Sequence, residues 1–319
     1  MIEKKAVLHV HTEASDGTGT MEEVISKAVS AGVDIIGIND HKTLSSREKG
    51  FGGWRPPLFV LAGAELEDSA KNSHLLVYGI DELPETSETE EQIAFVNKNG
   101  GIAIAAHPTE EPGRLPRTGS YSWKGEDTSG LSGVEVWNYM SLWKKGISFF
   151  NAFSKLKHPD RYVEHPDHRA VEFWEGIGGC AIGCPDAHAL KFGFGRAGFE
   201  VFSYDMLFRR LITHLLFDED LSESDEEAEK QILSALERGS CFTSNALHGN
   251  ARGFRAGWED DGILLDLPEA GEVVISKSSD VLWKGNLEAG SRRISLKHIE
   301  RLSIEVLKEG RTWIYCGIP

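Results

Sequence analysis

The sequence predicts an α/β fold: a parallel sheet with enough strands to close a barrel, followed by a small all-β module. Three observations carry this. Short apolar runs recur through the first 245 residues, helical patterns lie between several of them, and beyond about residue 246 only short strand patterns remain. A chain of 319 residues that is 40% hydrophobic and 26% charged can bury a substantial core unaided.

The strand candidates, in order, are 6–11 (AVLHVH), 34–41 (DIIGINDH), 58–65 (LFVLAGAE), 74–80 (HLLVYGI), 101–107 (GIAIAAH), 133–138 (GVEVWN) and 179–188 (GCAIGCPDAH). Most are too short for helices and rich in apolar or β-branched residues. Between the first two, residues 21–31 put Val24, Ile25, Ala28 and Val29 on one face, behind Thr20 as a cap and Glu23 three residues on. Further helices are expected over 88–98, 142–156, 170–174, 204–217 and 226–238. Strands alternating with helices imply a TIM-like barrel over residues 1–245, whose chemistry belongs at the strands' C-terminal ends. Short strands at 252–258, 272–276, 281–283, 292–296, 302–306 and 313–316, joined by Gly, Asp and Glu turns, make 246–319 a β-sandwich-like module without metal chemistry. The loop from 110 to 133 is long for a compact domain, a candidate lid or substrate loop.

Charge narrows the function classes. Thirty-four basic against 50 acidic residues give −16, a poor match for following a nucleic-acid duplex. The acidic runs at 85–91 and 218–229 read as solvated loops or helix starts. The N-terminus lacks a signal-peptide core, and no apolar stretch is long enough for a membrane span. Cys180, Cys184, Cys241 and Cys316 show no zinc-ribbon spacing and, in a chain this long, no disulfide framework, so a reducing cytoplasm is the expected compartment.

The chemistry sits in an ordered series. His9-Val10-His11 would put two imidazoles on one face of a strand, and Asp16 follows in the next loop. Then come Asn39-Asp40-His41, Gly63-Ala64-Glu65-Leu66-Glu67, His74, His107-Pro108 and Pro185-Asp186-Ala187-His188, each at the start or end of a strand candidate. Any one of these histidines alone would read as a hydrogen-bonded structural side chain; nine ligand-type residues in this order read as a metal site. Asp40 and Glu67 could orient imidazoles or serve as caps and surface groups. His158, His165 and His168 read as surface residues.

The pieces HVHTEASDG, NDH, GAELE, HLLVYG, AHP and PDAH resemble the polymerase and histidinol phosphatase (PHP) superfamily of metal-dependent phosphoesterases, over about residues 5 to 245. GVEVWN, the PDAH run and the trailing β module ending in RTWIY look like its carbaryl-hydrolase-like branch. The resemblance implies a distorted seven-stranded barrel. It implies a first metal on His9, His11, Glu65 and Asp186, a second on Glu65, His74 and His107, and a third on Asp16, His41 and His188. Asp16, Glu65 and His188 are then the candidate catalytic groups. Asn39 and Pro185 depart from the family pattern, where threonine and serine are common, without removing a ligand.

Mixed imidazole and carboxylate donors suit two or three ions of Mn, Zn or Fe(II) better than Mg or Ca. A metal-bridging water losing its proton would be the nucleophile. Arg114, Arg117 and Arg196 are candidate phosphate contacts, with a solvated surface role as the other reading. Trp123, Trp137, Asn138 and Trp143 could shape an apolar pocket, although core packing suits Trp137 better. The expected substrate is a small phosphomonoester or nucleotide, taken without membrane or duplex partners. A carboxylic ester, amide or carbamate is the second reading, and a non-catalytic metal-binding scaffold the third.

Overall fold

The computed structural model describes residues 1–116, 118–192 and 199–319. Seven strands make the heart of the molecule: β1 (Ile2–Val10), β2 (Ile35–Ile38), β3 (Leu58–Leu66), β4 (Leu75–Tyr78), β5 (Ile102–Ala105), β6 (Gly133–Asn138) and β7 (Cys180–Cys184). They are hydrogen-bonded in that order. β1, β2 and β3 are parallel, as are β5, β6 and β7, while β4 runs antiparallel to both its neighbours. The sheet curls, but no continuous ladder closes it. β7 returns to β1 through a single bridge, Val10 to Ala187. The expected closed barrel is therefore an open curl in the described residues, with fewer helices than a regular (β/α) repeat.

Alternate strand residues sort into two cores. Ala6, Leu8, Phe59, Leu61, Leu76, Ile104, Ile182 and Leu215, drawn from strands all round the curl, pack on one another, so they fill its inside. The neighbouring residues, among them Val7, Ile36, Val60, Val77 and Val134, pack against three helices. These are α1 (Met21–Ala31), α2 (Thr89–Lys98) and α3 (His168–Ile177). α1 begins as its sequence implies: Thr20 N–H donates to Glu23 Oε2 at 3.0 Å and Glu23 N–H to Thr20 Oγ1 at 3.2 Å. A fourth helix, α4 (Asp225–Glu237), sends Ala228, Ile232, Ala235 and Leu236 into the interior cluster. All four cysteines are buried and free.

Two expected helices are corrected. Over 204–217 only Tyr204–Leu207 is helical, and the rest forms β8 (Leu211–Phe217), antiparallel to β1. LITHLLF is flanked by β1 on one side and β9 (Cys241–Asn245) on the other, and a strand buried on both faces loses the alternation that marks it in sequence. Over 142–156 two short helices, Tyr139–Lys144 and Ala152–Lys157, flank a turn through Gly146 at φ 64°, where glycine avoids the strain another side chain would bring.

Beyond β9 a 3-10 turn (Ala246–His248) leads into strands alone, with β14 (Gly290–Ser295) among the strands β10 (Arg255–Glu259), β11 (Gly262–Leu267), β12 (Gly271–Lys277), β13 (Asp280–Leu287), β15 (Leu302–Lys308) and β16 (Arg311–Ile318). β10, β11 and β14 form one sheet. β13, β12, β15 and β16 extend the large sheet, because β16 pairs with β9 at Thr243–Tyr315 and Ser244–Ile314. Their shared core includes Phe254, Ile263, Val273, Ile304 and Trp313. Among the described residues no helix is long and apolar enough to cross a membrane.

Candidate metal centre

The strand directions deliver the nine candidate ligands to one end of the curl. β1, β3, β5 and β7 end there, and the antiparallel β4 begins there, with Leu75 beside both Leu66 and Ala105. Glu65 therefore closes β3, His74 precedes β4, and His107 and Asp186 lie two residues beyond β5 and β7. His41 is bridged to Glu65, and Lys42 N–H donates to Glu65 O at 3.0 Å. Ala187 N–H donates to His9 O at 3.2 Å and His11 N–H to Ala187 O at 3.0 Å, which locks 186–188 against β1.

His9 and His11 meet by more than a pleat. The register between β1 and β2 slips between Val7 and Val10, and His9 sits in that bulge at φ 64°. His107 (φ 29°) and Asp186 (φ 54°) are also left-handed. Each such residue costs about 1–3 kcal/mol and persists only where its surroundings impose it. The loop carrying Asp16 is packed as tightly: a Cβ on Gly17 would come within 2.5 Å of His11 O.

The donors converge. His9 Nε2 lies 3.4 Å from Glu65 Oε2 and 3.3 Å from Asp186 Oδ1; His11 Nε2 lies 3.2 and 3.5 Å from the same two oxygens. Four donors held at about 2.0–2.2 Å by one ion stand roughly 3.3–3.6 Å apart. His74 Nδ1 and His107 Nε2 approach the other Glu65 oxygen at 2.7 and 3.3 Å. These two imidazoles fall into different three-donor sets, His107 with His9 and Glu65, and His74 with His41 and Glu65. Asp16, His41 and His188 gather with His11, at 3.2 Å for His188 Nε2 to Asp16 Oδ1 and 3.7 Å for His41 Nε2 to Asp16 Oδ2.

Buried ring nitrogens of His9, His11, His41, His74 and His107 have no hydrogen-bond partner. A buried unpaired donor or acceptor costs about 1–3 kcal/mol, so such a cluster fits residues that serve a cation. The electrostatics agree. Burial opposes charge throughout, yet the carboxylates prevail: Asp186 and Glu65 hold His11 at about 9, and Glu110 and Glu65 hold His107 at about 9. Glu65 and Asp186 are driven well below the carboxylate range, and Asp16 down to about 2 by His188. His41 is lowered, by burial first.

Several supporting groups escaped the sequence reading. Glu135, 1% exposed, has Oε1 3.1 Å from His9 Nδ1 and accepts His107 N–H and Asn138 Nδ2–H on Oε2, both at 2.9 Å. Its signal was a lone acid in the apolar run GVEVWN. Tyr204 OH donates to His11 O at 2.8 Å from within the misread helix. Tyr121, in the 110–133 loop, stacks on His74 at 4.9 Å, and Ser73 Oγ accepts Lys124 N–H at 2.8 Å, fastening that loop beside the site. Asp40 touches no imidazole; its carboxylate takes Thr12 N–H, Thr12 Oγ1–H and Ser15 Oγ–H, each at 2.7 Å, and so ties down the loop before Asp16. Glu67 Oε2 lies 3.6 Å from His74 Nε2.

Residues 8–99 match the PHP domain family model, a span that contains His9, His11, Asp16, His41, Glu65 and His74. That span, under a third of the chain, is similar to PHP domains. One relative, an uncharacterised protein of Methanocaldococcus jannaschii, is 26% identical over 121 residues, 33% of this chain and 67% of that protein. Likeness of fold extends beyond the matched span: a Bacteroides vulgatus structure, named as a two-domain protein containing a predicted PHP-like metal-dependent phosphoesterase, aligns over 99% of this chain and 95% of its own at TM-score 0.50 and 13% identity. An amidohydrolase of Chromobacterium violaceum aligns over 57% of this chain and 87% of its own, at TM-score 0.32 and 15% identity.

Around the site, the expected anion contacts are sparse. Arg114 is exposed, and Arg117 and Arg196 lie outside the described residues. Lys42, Lys144 and Arg169 are paired with Glu67, Glu110 and Glu111. Trp137 and Trp143 are buried and donate to Val163 O and Lys155 O, so both pack in the core. Trp123 is half-buried against Phe173 at 5.8 Å. His165 and His168 are exposed and His158 half-buried.

Proposed function

We propose that the protein is a metal-dependent hydrolase, a phosphoesterase on a small phosphomonoester or nucleotide. The observation that carries this reading is the convergence of buried, unpartnered imidazole nitrogens on Glu65 and Asp186 at 3.2–3.5 Å. His9, His11, Glu65 and Asp186 would hold one ion; Glu65 with His74 and His107 a second; Asp16, His41 and His188 a third. Divalent Mn, Zn or Fe(II) bound there supplies Lewis acidity toward a phosphoryl oxygen and lowers the pKa of water. The protein's own share is placement. Glu65 presents one oxygen to His9, His11 and His41 and the other to His74 and His107. Asp16, its side chain 56% exposed, and His188 at 15% stand at the solvent side, where a substrate would arrive.

Two observations favour a second reading, hydrolysis of a carboxylic ester, amide or carbamate. The cations Lys42, Lys144 and Arg169 are neutralised by glutamates, and the Tyr121 ring offers an apolar wall. A panel of nitrophenyl phosphate, nucleotide monophosphates, nitrophenyl acetate and an aryl carbamate, assayed with each metal, decides between them. Turnover of the phosphomonoesters supports the first reading. Turnover of the neutral substrates alone establishes the second, and tight metal binding with no turnover leaves a scaffold.

A further inference from the structure

The imidazoles of the site differ in what lies behind them. A histidine that binds a cation through one ring nitrogen carries its proton on the other, and the partner of that proton decides which nitrogen is free. His11 Nδ1 and His107 Nδ1 have no such partner. His188 Nδ1–H has the carbonyl of Asp186 at 3.0 Å. His9 has a carboxylate: its ring is fully buried, with Nδ1 3.1 Å from Glu135 Oε1 and Nε2 unpartnered, facing Glu65 and Asp186.

The orientation of that carboxylate is fixed from further back. Asn138 caps the short helix Tyr139–Lys144, its Oδ1 accepting Ser141 N–H at 2.7 Å. That hydrogen bond settles which end of the amide is which. Asn138 Nδ2 is therefore the atom aimed at Glu135 Oε2, at 2.9 Å, and at Asp186 Oδ2, at 3.3 Å. His107 N–H supplies a second donor to Glu135 Oε2 at 2.9 Å. With two donors on Oε2, Glu135 has one oxygen left, and it faces His9.

We infer that Glu135 is a positioning residue that fixes His9 as the Nδ1–H tautomer, leaving Nε2 as the donor to the first ion. Asn138, tied to the backbone at Ser141, couples that choice to the placement of Asp186. The inference rests on the proposed metal reading and adds a residue outside the nine ligand positions.

The substitution that tests it is Glu135→Gln. The amide oxygen must take the Oε2 place, where two N–H groups point; the NH2 then faces His9 Nδ1, forces a lone pair there and puts the proton on Nε2. Glu135→Ala removes the acceptor and imposes no wrong tautomer. A residue needed only for packing shows the opposite order, since glutamine is the closer match in shape. Zinc titration calorimetry on the metal-free full chain, with long-range proton–nitrogen NMR of histidine-labelled protein loaded with zinc, reads both effects. The expected result is a ring proton on His9 Nδ1 in the wild type and a 10- to 100-fold loss of zinc affinity in Glu135→Gln, larger than in Glu135→Ala. Wild-type affinity in Glu135→Gln, a milder effect there than in Glu135→Ala, or a wild-type His9 without a proton on Nδ1 overturns the positioning role alone. A wild type that takes up no zinc overturns the metal reading and this inference with it.

Discussion

The two ends of β1 treat buried histidines in opposite ways. Near its start, His214 reaches across from β8: Nδ1 lies 2.8 Å from Glu3 Oε1 and Nε2 2.8 Å from Ser244 Oγ. Glu3 also accepts from Gly253 N–H and Arg255 Nη1–H, both at 2.9 Å. Both ring nitrogens of His214 and both carboxylate oxygens of Glu3 have protein partners, and burial keeps the His214 pKa below its ordinary value. At the other end, His11 is as deeply buried with neither ring nitrogen hydrogen-bonded, and its pKa is about 9. The first arrangement is finished by the protein, joining β1 and β8 to the C-terminal strands. The second leaves its ring nitrogens open, as the proposed metal site requires. Burial and residue type are alike in the two places; what separates a structural histidine from a ligand is whether its nitrogens are already spoken for.

Five substitutions test that contrast. Glu65→Gln should have the largest effect, because Glu65 faces five imidazoles: metal affinity should fall by more than the ~10–100-fold that supporting residues cost. Asp16→Asn, at an exposed carboxylate, should lose less, and equal losses by metal titration break the ranking. In the C-terminal strands Ile304 is fully buried, so Ile304→Ala should lower the unfolding free energy by about 2–5 kcal/mol in a denaturant titration while metal stoichiometry is unchanged. A parallel loss of metal would mean that the two regions are not independent.

Glu3→Gln sharpens the other half. The Glu3 pKa is lowered from 4.5 to about 2, against burial, by His214, Gly253 and Arg255. A depressed carboxyl pKa stabilises the fold fully above the unfolded value, and that contribution is lost as pH falls from about 4.5 to about 2. The wild type should therefore exceed Glu3→Gln by about 3 kcal/mol at pH 7, with the gap closing over that window in urea melts at stepped pH. A gap that stays constant with pH would falsify the linkage. The smallest effect is at Thr20→Ala, where loss of the capping box should cost about 1 kcal/mol and leave both ends of β1 as they were.

How much of this was legible in the sequence follows from what each residue must do locally. The gathering of His, Asp and Glu at strand ends could be read because polar side chains leave the sheet where the sheet stops, and Thr20 with Glu23 because capping is a four-residue affair. LITHLLF could not, since a run buried on both sides carries no periodicity to separate helix from strand. The joining of β16 to β9 was invisible for a related reason: an edge pairing across some 70 residues leaves no mark on either strand. Glu135 was on view in GVEVWN but its partners were not, and the left-handed backbone at His9, His107 and Asp186 has no signature in side chains that are not glycine.

The pairing of Ile2 with Phe217 has a consequence in time. β1 cannot fill one of its two edges until the ribosome has added roughly 200 more residues, which at 5–20 residues per second takes on the order of 10–40 s. The donors emerge over nearly the same interval, from His9 first to His188 near its close. A nascent chain therefore spends most of its synthesis with an unprotected strand edge and scattered imidazoles, and a cation that needs the assembled site can engage only a chain whose topology is already correct. Metal uptake would then act as a late inspection, trapping finished molecules and leaving misassembled ones open to chaperones and proteases.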